Sequence, residues 1–126
     1  MSSAGKRPTI LIVDDDPAIR ALLTEMLSME GYAMETAKDG VEAIAFLRDL
    51  PPTFRIILLD LLMPNIDGWG VVRWITEHPE IRANTKIVLM SANDRLKQAY
   101  DLEQDGRLVK PFDLGTLLET ITKLSM

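Results

Sequence analysis

The sequence predicts one α/β domain built on a doubly wound, five-stranded parallel sheet with helices on both faces. Two observations support this fold class. Short runs of aliphatic and β-branched residues alternate five times with longer stretches of helical periodicity, which is the pattern of consecutive βα units. Residues 10–13 and 56–59 are apolar without interruption, as expected of strands that helices cover on both sides. The length of 126 residues suits a single domain.

Each predicted element follows from a local pattern. The strands are the aliphatic runs at residues 9–13, 33–36, 55–59, 86–90 and 107–109. The helices carry apolar residues three and four positions apart, which share one face, and they are predicted at residues 17–29, 41–50, 69–77, 93–102 and 114–124. The first helix has Pro17 in its first position, and its predicted core face includes Leu22. Residues 78–85 are predicted to form a surface connection, residues 1–8 a flexible leader and residues 9–126 the domain itself.

Composition excludes several classes of function. Lys and Arg number 14 against 19 Asp and Glu, which gives a net charge of −5 and argues against nucleic acid or an anionic membrane as the main partner. The absence of cysteine excludes disulfides, thiolate zinc sites and thiol nucleophiles. No apolar run approaches the length of a membrane span, and the first eight residues lack a secretory signal. We therefore expect a cytoplasmic protein, too short to include a DNA-binding output domain.

Carboxylates follow two of the predicted strands. Asp14 and Asp15 come after the first strand, and Asp60 follows the third. The carboxyl ends of parallel strands meet at one sheet edge, where ligands bind, and each pair of like charges about 5 Å apart costs about 3 kcal/mol at an effective dielectric near 20. Such a cluster needs a cation, and without cysteine the oxygen ligands favour Mg²⁺, either at a reactive site or as a structural clip. Asp16 is instead a predicted helix N-cap.

Two more polar residues follow predicted strands. Ser91 comes after the fourth strand and Lys110 after the fifth. Ser91 has an alternative interpretation as a helix N-cap with Asp94 three residues later, and Lys110 has one as an ordinary surface lysine. Their shared position beside Asp60 favours a functional role, because a lysine there offsets the acidic cluster and can hold a phosphoryl oxygen.

Four segments together resemble a known family. ILIVDDDP, IILLDLLMPNIDG, VLMSA and LVKPF are similar to the motifs of the receiver domain of two-component response regulators. The resemblance extends from about residue 9 to residue 124. It implies the flavodoxin-like strand order 2-1-3-4-5. It also implies a signalling switch that catalyses its own phosphorylation and dephosphorylation and has no separate substrate.

The resemblance also assigns roles to the residues at the sheet edge. It implies that Asp60 accepts a phosphoryl group from a phosphohistidine on a histidine kinase or phosphotransfer protein. It implies Mg²⁺ as cofactor, held by Asp15, Asp60 and the backbone carbonyl of Leu62, with Asp14 reaching the ion directly or through water.

Lys110 and Ser91 have roles by the same resemblance. Lys110 would neutralise the phosphoryl charge, and the hydroxyl of Ser91 would donate to the phosphoryl group as its loop switches. The Lys110–Pro111 bond resembles one that is often cis in the family. Ala92, which follows Ser91, and Pro111 are therefore expected on the switch surface.

Several positions depart from the family pattern. Arg107 stands where receivers commonly carry an aromatic switch residue. Ser91 and Lys110 are only 110 − 91 = 19 positions apart, and Gln-Asp-Gly at residues 104–106 replaces the customary Gly-Ala. We therefore expect a short, displaced or partly unwound fourth helix, and an atypical homodimer or partner mode through the fourth helix, fifth strand and last helix. Trp74 is predicted to face solvent, as a surface residue or a binding hot spot for an unknown downstream protein.

Two alternatives remain at this point. The first is a degenerate receiver that only binds proteins. The second is a Mg²⁺-dependent phosphohydrolase that uses an aspartyl phosphate. The second is disfavoured because Asp60 is not followed by another acid two residues later, and because the chain has no room for a cap over a substrate.

Overall fold

The computed structural model describes residues 7–49 and 54–125. Within these residues the chain forms five strands and six helices, which follow one another in the order of the predicted βα units with one additional helix. They are β1 (Thr9–Val13), α1 (Pro17–Met29), β2 (Met34–Ala37), α2 (Gly40–Asp49), β3 (Arg55–Asp60), α3 (Gly68–Thr76), α4 (Pro79–Arg82), β4 (Thr85–Ser91), α5 (Asn93–Gln98), β5 (Gly106–Val109) and α6 (Leu114–Leu124).

The five strands form one parallel sheet in the order β2-β1-β3-β4-β5. This confirms the predicted fold class and the strand order implied by the family resemblance. The register brings the carboxyl ends of the strands side by side: Val13 pairs with Leu59, and Ser91 pairs with Val109. Polar residues at these ends therefore share one edge of the sheet.

Alternate residues of the central strands pack into two separate cores. Leu11 and Val13 point into the core beneath α2, α3 and α5, while Ile10 and Ile12 point into the core beneath α1 and α6. All four are fully buried. Burial of each such side chain stabilises the folded state by about 1.5–3 kcal/mol. The sheet is therefore a rigid base for the loops that project from its edge.

The connection between α3 and β4 differs from the prediction. Residues 78–85 were predicted as a surface connection, but Pro79–Arg82 form the one-turn helix α4 with proline at its start. Proline suits this position because its fixed φ angle is helical and its missing N–H would have no intrahelical partner.

The helix after β4 is short, as predicted from the departures in the sequence. It is the fifth in chain order, α5, and has six residues instead of the ten of the predicted segment. The side-chain amide of Gln104 donates to the carbonyls of Ala99 and Leu102, both at 2.9 Å. The Asp105 carboxylate accepts a 2.7 Å hydrogen bond from the Ile87 N–H. In a longer helix or strand these backbone groups would bond to other backbone groups. Here the side chains of Gln104 and Asp105 bond to them instead.

The predicted leader falls partly outside the described residues, which begin at Arg7. The guanidinium of Arg7 lies 3.7 Å from the ring centroid of Tyr32 and donates a 2.7 Å hydrogen bond to the carbonyl of Glu30. Pro8 is buried. The structure therefore places Arg7 against the connection between α1 and β2. Among the described residues no helix combines the length and apolar character needed to cross a bilayer.

Candidate functional site

Three carboxylates meet at the carboxyl edge of the sheet. Asp14 and Asp15 follow β1, and Asp60 is the last residue of β3. One carboxylate oxygen from each lies within 4.8 Å of the others. Asp14 and Asp60 are 1% and 6% exposed, whereas Asp15 is open to solvent. The structure thus brings together the three acidic residues that the sequence predicted at one edge.

Asp14 is held by its own neighbours. Its Oδ1 accepts a 2.9 Å hydrogen bond from the Asp16 N–H, and its backbone carbonyl accepts a 2.6 Å bond from the Arg20 guanidinium. Asp16 itself caps α1 by accepting a bond from the Ala18 N–H at 2.9 Å. The prediction that Asp16 is an N-cap is therefore confirmed.

Lys110 is the cation of this cluster. Its Nζ lies 2.8 Å from Asp14 Oδ2 and 3.6 Å from Asp60 Oδ1. The Lys110–Pro111 peptide bond is cis, as the family resemblance implied. The alternative of an ordinary surface lysine is wrong, because this ammonium is paired inside the cluster.

The environment shifts two pKa values in the site. The pKa of Asp60 is raised to about 6, chiefly by burial and also by the charges of Asp14 and Asp15, against the opposing effects of Lys110 and the Leu62 N–H. Burial disfavours the charged form of Lys110, but its hydrogen bond to Asp14 and the charges of both aspartates together raise its pKa. A carboxylate therefore faces an ammonium at neutral pH.

Ser91 is the last residue of β4, and its side chain is only 4% exposed. Its backbone carbonyl accepts a 2.9 Å bond from the Lys110 N–H, which ties the ends of β4 and β5 together. The alternative role of Ser91 as a helix N-cap is wrong, because the exposed Ala92 occupies the cap of α5 without a side-chain bond. Ser91 is thus free for a role in the site, although its contact with a phosphoryl group stays a prediction.

The residues after Asp60 form a tight loop, here called the β3–α3 loop (residues 61–67). Leu62 is 48% exposed, and its N–H donates to the Asp60 carboxylate. The loop closes through a 3.0 Å bond from the Gly68 N–H to the Leu61 carbonyl. A Cβ at position 68 would lie 2.6 Å from the Asp60 carbonyl, so this close approach requires glycine.

The β3–α3 loop is tied to the start of α2 by two residues that were not predicted from the sequence. Asn65 has φ of 65°, and its side-chain amide donates a 3.1 Å bond to Asp39 Oδ2. The Asp39–Gly40 pair before a helical segment signals a helix N-cap, and asparagine between Pro64 and Ile66 signals a turn in the left-handed region. Those local signals could identify each residue, but not their contact.

The donor set of the cluster fits Mg²⁺. The three aspartates offer hard oxygen ligands within reach of one ion, and the cluster contains no nitrogen or sulfur donor. A cation would also offset charges that Lys110 alone leaves unbalanced. The residues present therefore agree with the predicted metal.

Comparison with known proteins identifies the family. The model of the response regulator receiver domain matches residues 10–122. The chain belongs to this family. Receiver domains are signalling switches that interact with histidine kinases and downstream effectors.

Individual relatives agree with the assignment of this receiver domain. It is 35% identical over 120 residues to the DNA-binding dual master transcriptional regulator RpaA of Synechocystis, and 36% identical over 117 residues to the response regulator RR06 of Streptococcus pneumoniae. These matches cover 93% and 91% of the chain but only 48% and 52% of the two relatives. The receiver domain thus spans about half the length of these curated relatives. Because RpaA is described as DNA-binding, the expectation that this protein avoids nucleic acid stays a prediction.

Solved structures show the same fold. The chemotaxis response regulator CheY4 of Vibrio cholerae superposes with a TM-score of 0.84 and 29% identity, covering 94% of this chain and 99% of CheY4. The response regulator TrrA of Thermotoga maritima, solved in complex with Mg²⁺-BeF, superposes with a TM-score of 0.77 and 34% identity, covering 93% of this chain and 98% of TrrA.

Arg107 lies at the surface of the receiver domain. Its guanidinium is exposed on β5 and its Nε donates to the side-chain oxygen of Gln104. No aromatic ring stands at this position to swing toward Ser91. Pro111 is also exposed, beside an apolar groove described below.

Trp74 corrects a prediction. It was predicted to face solvent, but its side chain is half-buried and packs against the core beneath α3. Its ring stacks on His78 with centroids 4.0 Å apart, and its carbonyl lies 2.6 Å from His78 Nδ1. The apolar residues Val71, Val72 and Ile75 do define the buried face, yet Trp74 is wide enough to reach the core from its margin. These contacts argue against a hot spot for a partner.

The prediction for Leu22 was also wrong. It was predicted as a core residue of α1, but it is 53% exposed and lines a groove of about 410 Å³ between α1 and the segment after β5. The groove is mostly apolar, with Met26 and Phe112 in its walls and Lys110 at its border. An apolar surface thus lies directly beside the acidic cluster.

Proposed function

We propose that this receiver domain is a phosphoacceptor switch that takes a phosphoryl group onto Asp60. The observation that carries the proposal is the position of Asp60 between two further aspartates and Lys110 at the end of a central strand. A buried carboxylate gains nothing from packing there, and its raised pKa shows that the position costs stability. A functional requirement accounts for that cost.

The chemistry needs positioning and charge neutralisation more than covalent help. Asp15, Asp60 and the Leu62 carbonyl would hold Mg²⁺, with Asp14 beside them, and the bound ion would neutralise charge on the phosphoryl oxygens. One carboxylate oxygen of Asp60 forms a bond to phosphorus as the bond from phosphorus to the donor's imidazole nitrogen breaks. The electron pair of that bond stays on the imidazole nitrogen.

Lys110 and Ser91 act on the transferred group. Lys110 Nζ lies 3.6 Å from Asp60 Oδ1, close enough to reach an oxygen of a phosphoryl group attached to this carboxylate. The Ser91 hydroxyl would donate to another phosphoryl oxygen from the adjacent strand. Since Ala92 starts α5, this movement would be passed directly to that helix.

The phosphoryl donor would dock on the groove beside α1. A histidine kinase or phosphotransfer protein must bring its phosphohistidine to Asp60, so its surface must cover the rim of the site. The groove that contains Leu22 and Phe112 shares Lys110 with that site, and its apolar lining suits an amphipathic helix of the donor. This arrangement explains why Leu22 is exposed.

The output would use the surface of α5, β5 and α6, through a homodimer or a downstream protein. Arg107 is held at the surface by Gln104, so we propose a switch without an inward-moving aromatic ring. We expect Arg107→Ala to leave the yield of phosphorylated protein unchanged. A large loss of phosphorylation in this variant would place Arg107 in the reaction instead.

One experiment tests the phosphoacceptor proposal. The protein is incubated with Mg²⁺ and acetyl phosphate, and its intact mass is recorded over time. We expect one added phosphoryl group, absent from Asp60→Asn. Asp16→Asn is the matched control, since this neighbouring carboxylate lies outside the cluster and asparagine is an equally good N-cap.

The other outcomes correspond to the other functions. Continuous release of phosphate with many turnovers per protein would support the phosphohydrolase. No adduct in the wild-type protein would support a degenerate receiver that acts only through protein contacts. An adduct that persists in Asp60→Asn would show that another residue is the acceptor.

A further inference from the structure

We propose that Asp39 and Asn65 form a clamp that positions the Leu62 carbonyl, so that a pair of residues outside the acidic cluster sets its affinity for Mg²⁺. This inference rests on the proposed function, since it concerns the cation of the same site. The pair joins the start of α2 to the β3–α3 loop, 26 residues away in sequence.

Asp39 is a buried carboxylate with a hydrogen-bond donor on each oxygen. It is 7% exposed, and its Oδ1 accepts a 2.9 Å bond from the Glu42 N–H while its Oδ2 accepts a 3.1 Å bond from the Asn65 amide. These bonds, with that from the Glu42 N–H the strongest, hold the pKa of Asp39 below its usual range. Asp39 is therefore a fixed, charged anchor.

The loop needs an anchor because Leu62 cannot supply one. Leu62 is 48% exposed, so its side chain is not buried in the core, and the position of its carbonyl depends largely on the neighbouring backbone. Three residues later Asn65 adopts φ of 65°, a conformation that asparagine tolerates better than most residues. The bond from Asn65 to Asp39 fixes this turn.

Backbone contact reinforces the clamp. A Cβ at position 40 would lie 2.3 Å from the Ile66 carbonyl oxygen, so the loop touches the first residue of α2 directly. The Asp39–Asn65 bond and this contact together make the loop and the start of α2 one packed unit. Partners that orient a metal ligand in this way typically change metal affinity by about 10-fold or more.

The experiment measures Mg²⁺ binding in the complete chain after removal of metal with EDTA. Amide signals in ¹⁵N spectra are followed during titration with MgCl₂, which gives a dissociation constant in the absence of any phosphoryl donor. Thermal unfolding of each variant without metal is recorded in parallel.

Three variants test the pair. Asn65→Gly removes the amide but keeps a residue that accepts positive φ and does not alter net charge. Asp39→Asn keeps the size of the side chain and the cap of α2, but it replaces the bond from Asn65 to a charged carboxylate by a weaker bond between two neutral amides, for which Asn65 must turn its amide round. The double variant D39N/N65D restores both the hydrogen bond, with its direction reversed, and the net charge.

We expect both single variants to weaken Mg²⁺ binding by about three- to tenfold, and the double variant to return to within about twofold of the wild type. Glu42→Ala is the matched control on the same helix. The Glu42 carboxylate accepts a 2.9 Å bond from the Lys38 N–H, and among the described residues no hydrogen bond joins this side chain to the loop. Its loss should therefore lower thermal stability without changing the dissociation constant, since the Glu42 N–H that caps onto Asp39 is kept.

Three results would overturn the inference: Asn65→Gly binding Mg²⁺ as tightly as the wild type, a double variant as weak as Asp39→Asn, or an equal loss in Glu42→Ala. In each case the wild type still binds Mg²⁺, and the proposed function stands. A wild-type protein that binds no Mg²⁺ would contradict the proposed function and this inference together.

Discussion

Replacing Asp60 by asparagine should stabilise the metal-free domain while abolishing its proposed function. The pKa of Asp60 rises from an ordinary value of 3.8 to about 6, chiefly through burial and then through the charges of Asp14 and Asp15. A shift of one pKa unit corresponds to about 1.4 kcal/mol, so the ionised Asp60 carboxylate lowers the folding stability by about 3 kcal/mol. Asparagine resembles the neutral carboxylic acid in size and avoids that cost.

The sign of the pH dependence follows from linkage. Between pH 3.8 and about 6 the folded state binds more protons at Asp60 than the unfolded state does, so the contribution of Asp60 to stability falls as the pH rises. The destabilisation is complete above about pH 6 and absent below about pH 4. The advantage of Asp60→Asn over the wild type should therefore be large at pH 7.5 and vanish near pH 4.

Thermal unfolding in EDTA measures this effect. For a domain of this length, about 3 kcal/mol corresponds to a rise in Tm of roughly 10 °C. The control Asp16→Asn, at an exposed N-cap, should change Tm by less than about 2 °C, since asparagine caps helices as well as aspartate does. The reasoning is refuted if Asp60→Asn matches the wild-type Tm at pH 7.5, or if its advantage is the same at pH 4.

Three further predictions concern single side chains. The phosphorylated protein is expected to lose its phosphoryl group slowly, because the half-exposed Leu62 offers no polar group to an attacking water. Leu62→Asn should lose the group about tenfold faster, as followed by intact mass. A half-life of seconds for the phosphorylated wild type would contradict this. Arg82→Met should lower the free energy of unfolding, measured in urea, by about 2 kcal/mol, because it removes the 2.8 Å bond to the Thr85 carbonyl and the half-buried ion pair with Asp105. A loss below about 0.5 kcal/mol would contradict this, since it is the size expected of an exposed surface ion pair. Gly40→Ala should lower stability by about 2 kcal/mol in the same assay, because its Cβ would meet a carbonyl at 2.3 Å, and an unchanged midpoint would show that the loop is free to move.

The fold and the acidic cluster could be predicted because both follow from patterns that are local in the sequence. Uninterrupted apolar runs mark buried parallel strands, and parallel strands bring their carboxyl ends to one edge whatever the intervening helices do. Asp14, Asp60 and Lys110 each sit at such an end, so position along the chain was enough to place them together. The 2.8 Å contact between Lys110 and Asp14 crosses the ends of β3 and β4, so it also depends on the long side chain of the lysine.

Contacts between elements could not be predicted in the same way. Helical periodicity places Leu22 on the apolar face of α1, but whether that face is covered depends on how far the segment with Phe112 lies from it. Trp74 lies off the buried face of α3 by periodicity, yet the length of its side chain carries it to the core. Asp39 and Asn65 each have local signals, but 26 residues separate them, and only the folded chain shows that they meet.

The anchors found only in the structure have a common physical cause. Asp14 and Asp60 repel each other across the ends of β1 and β3, and Lys110 compensates only part of their charge. The loops that carry the carboxylates must therefore be held from outside the cluster, as Arg20 does through the Asp14 carbonyl and Asn65 does through Asp39. A cation that binds only the folded state removes the same repulsion and adds stability by mass action. Since Asp60→Asn has already removed part of that repulsion and one charged ligand, Mg²⁺ should raise the Tm of the wild type more than that of the variant.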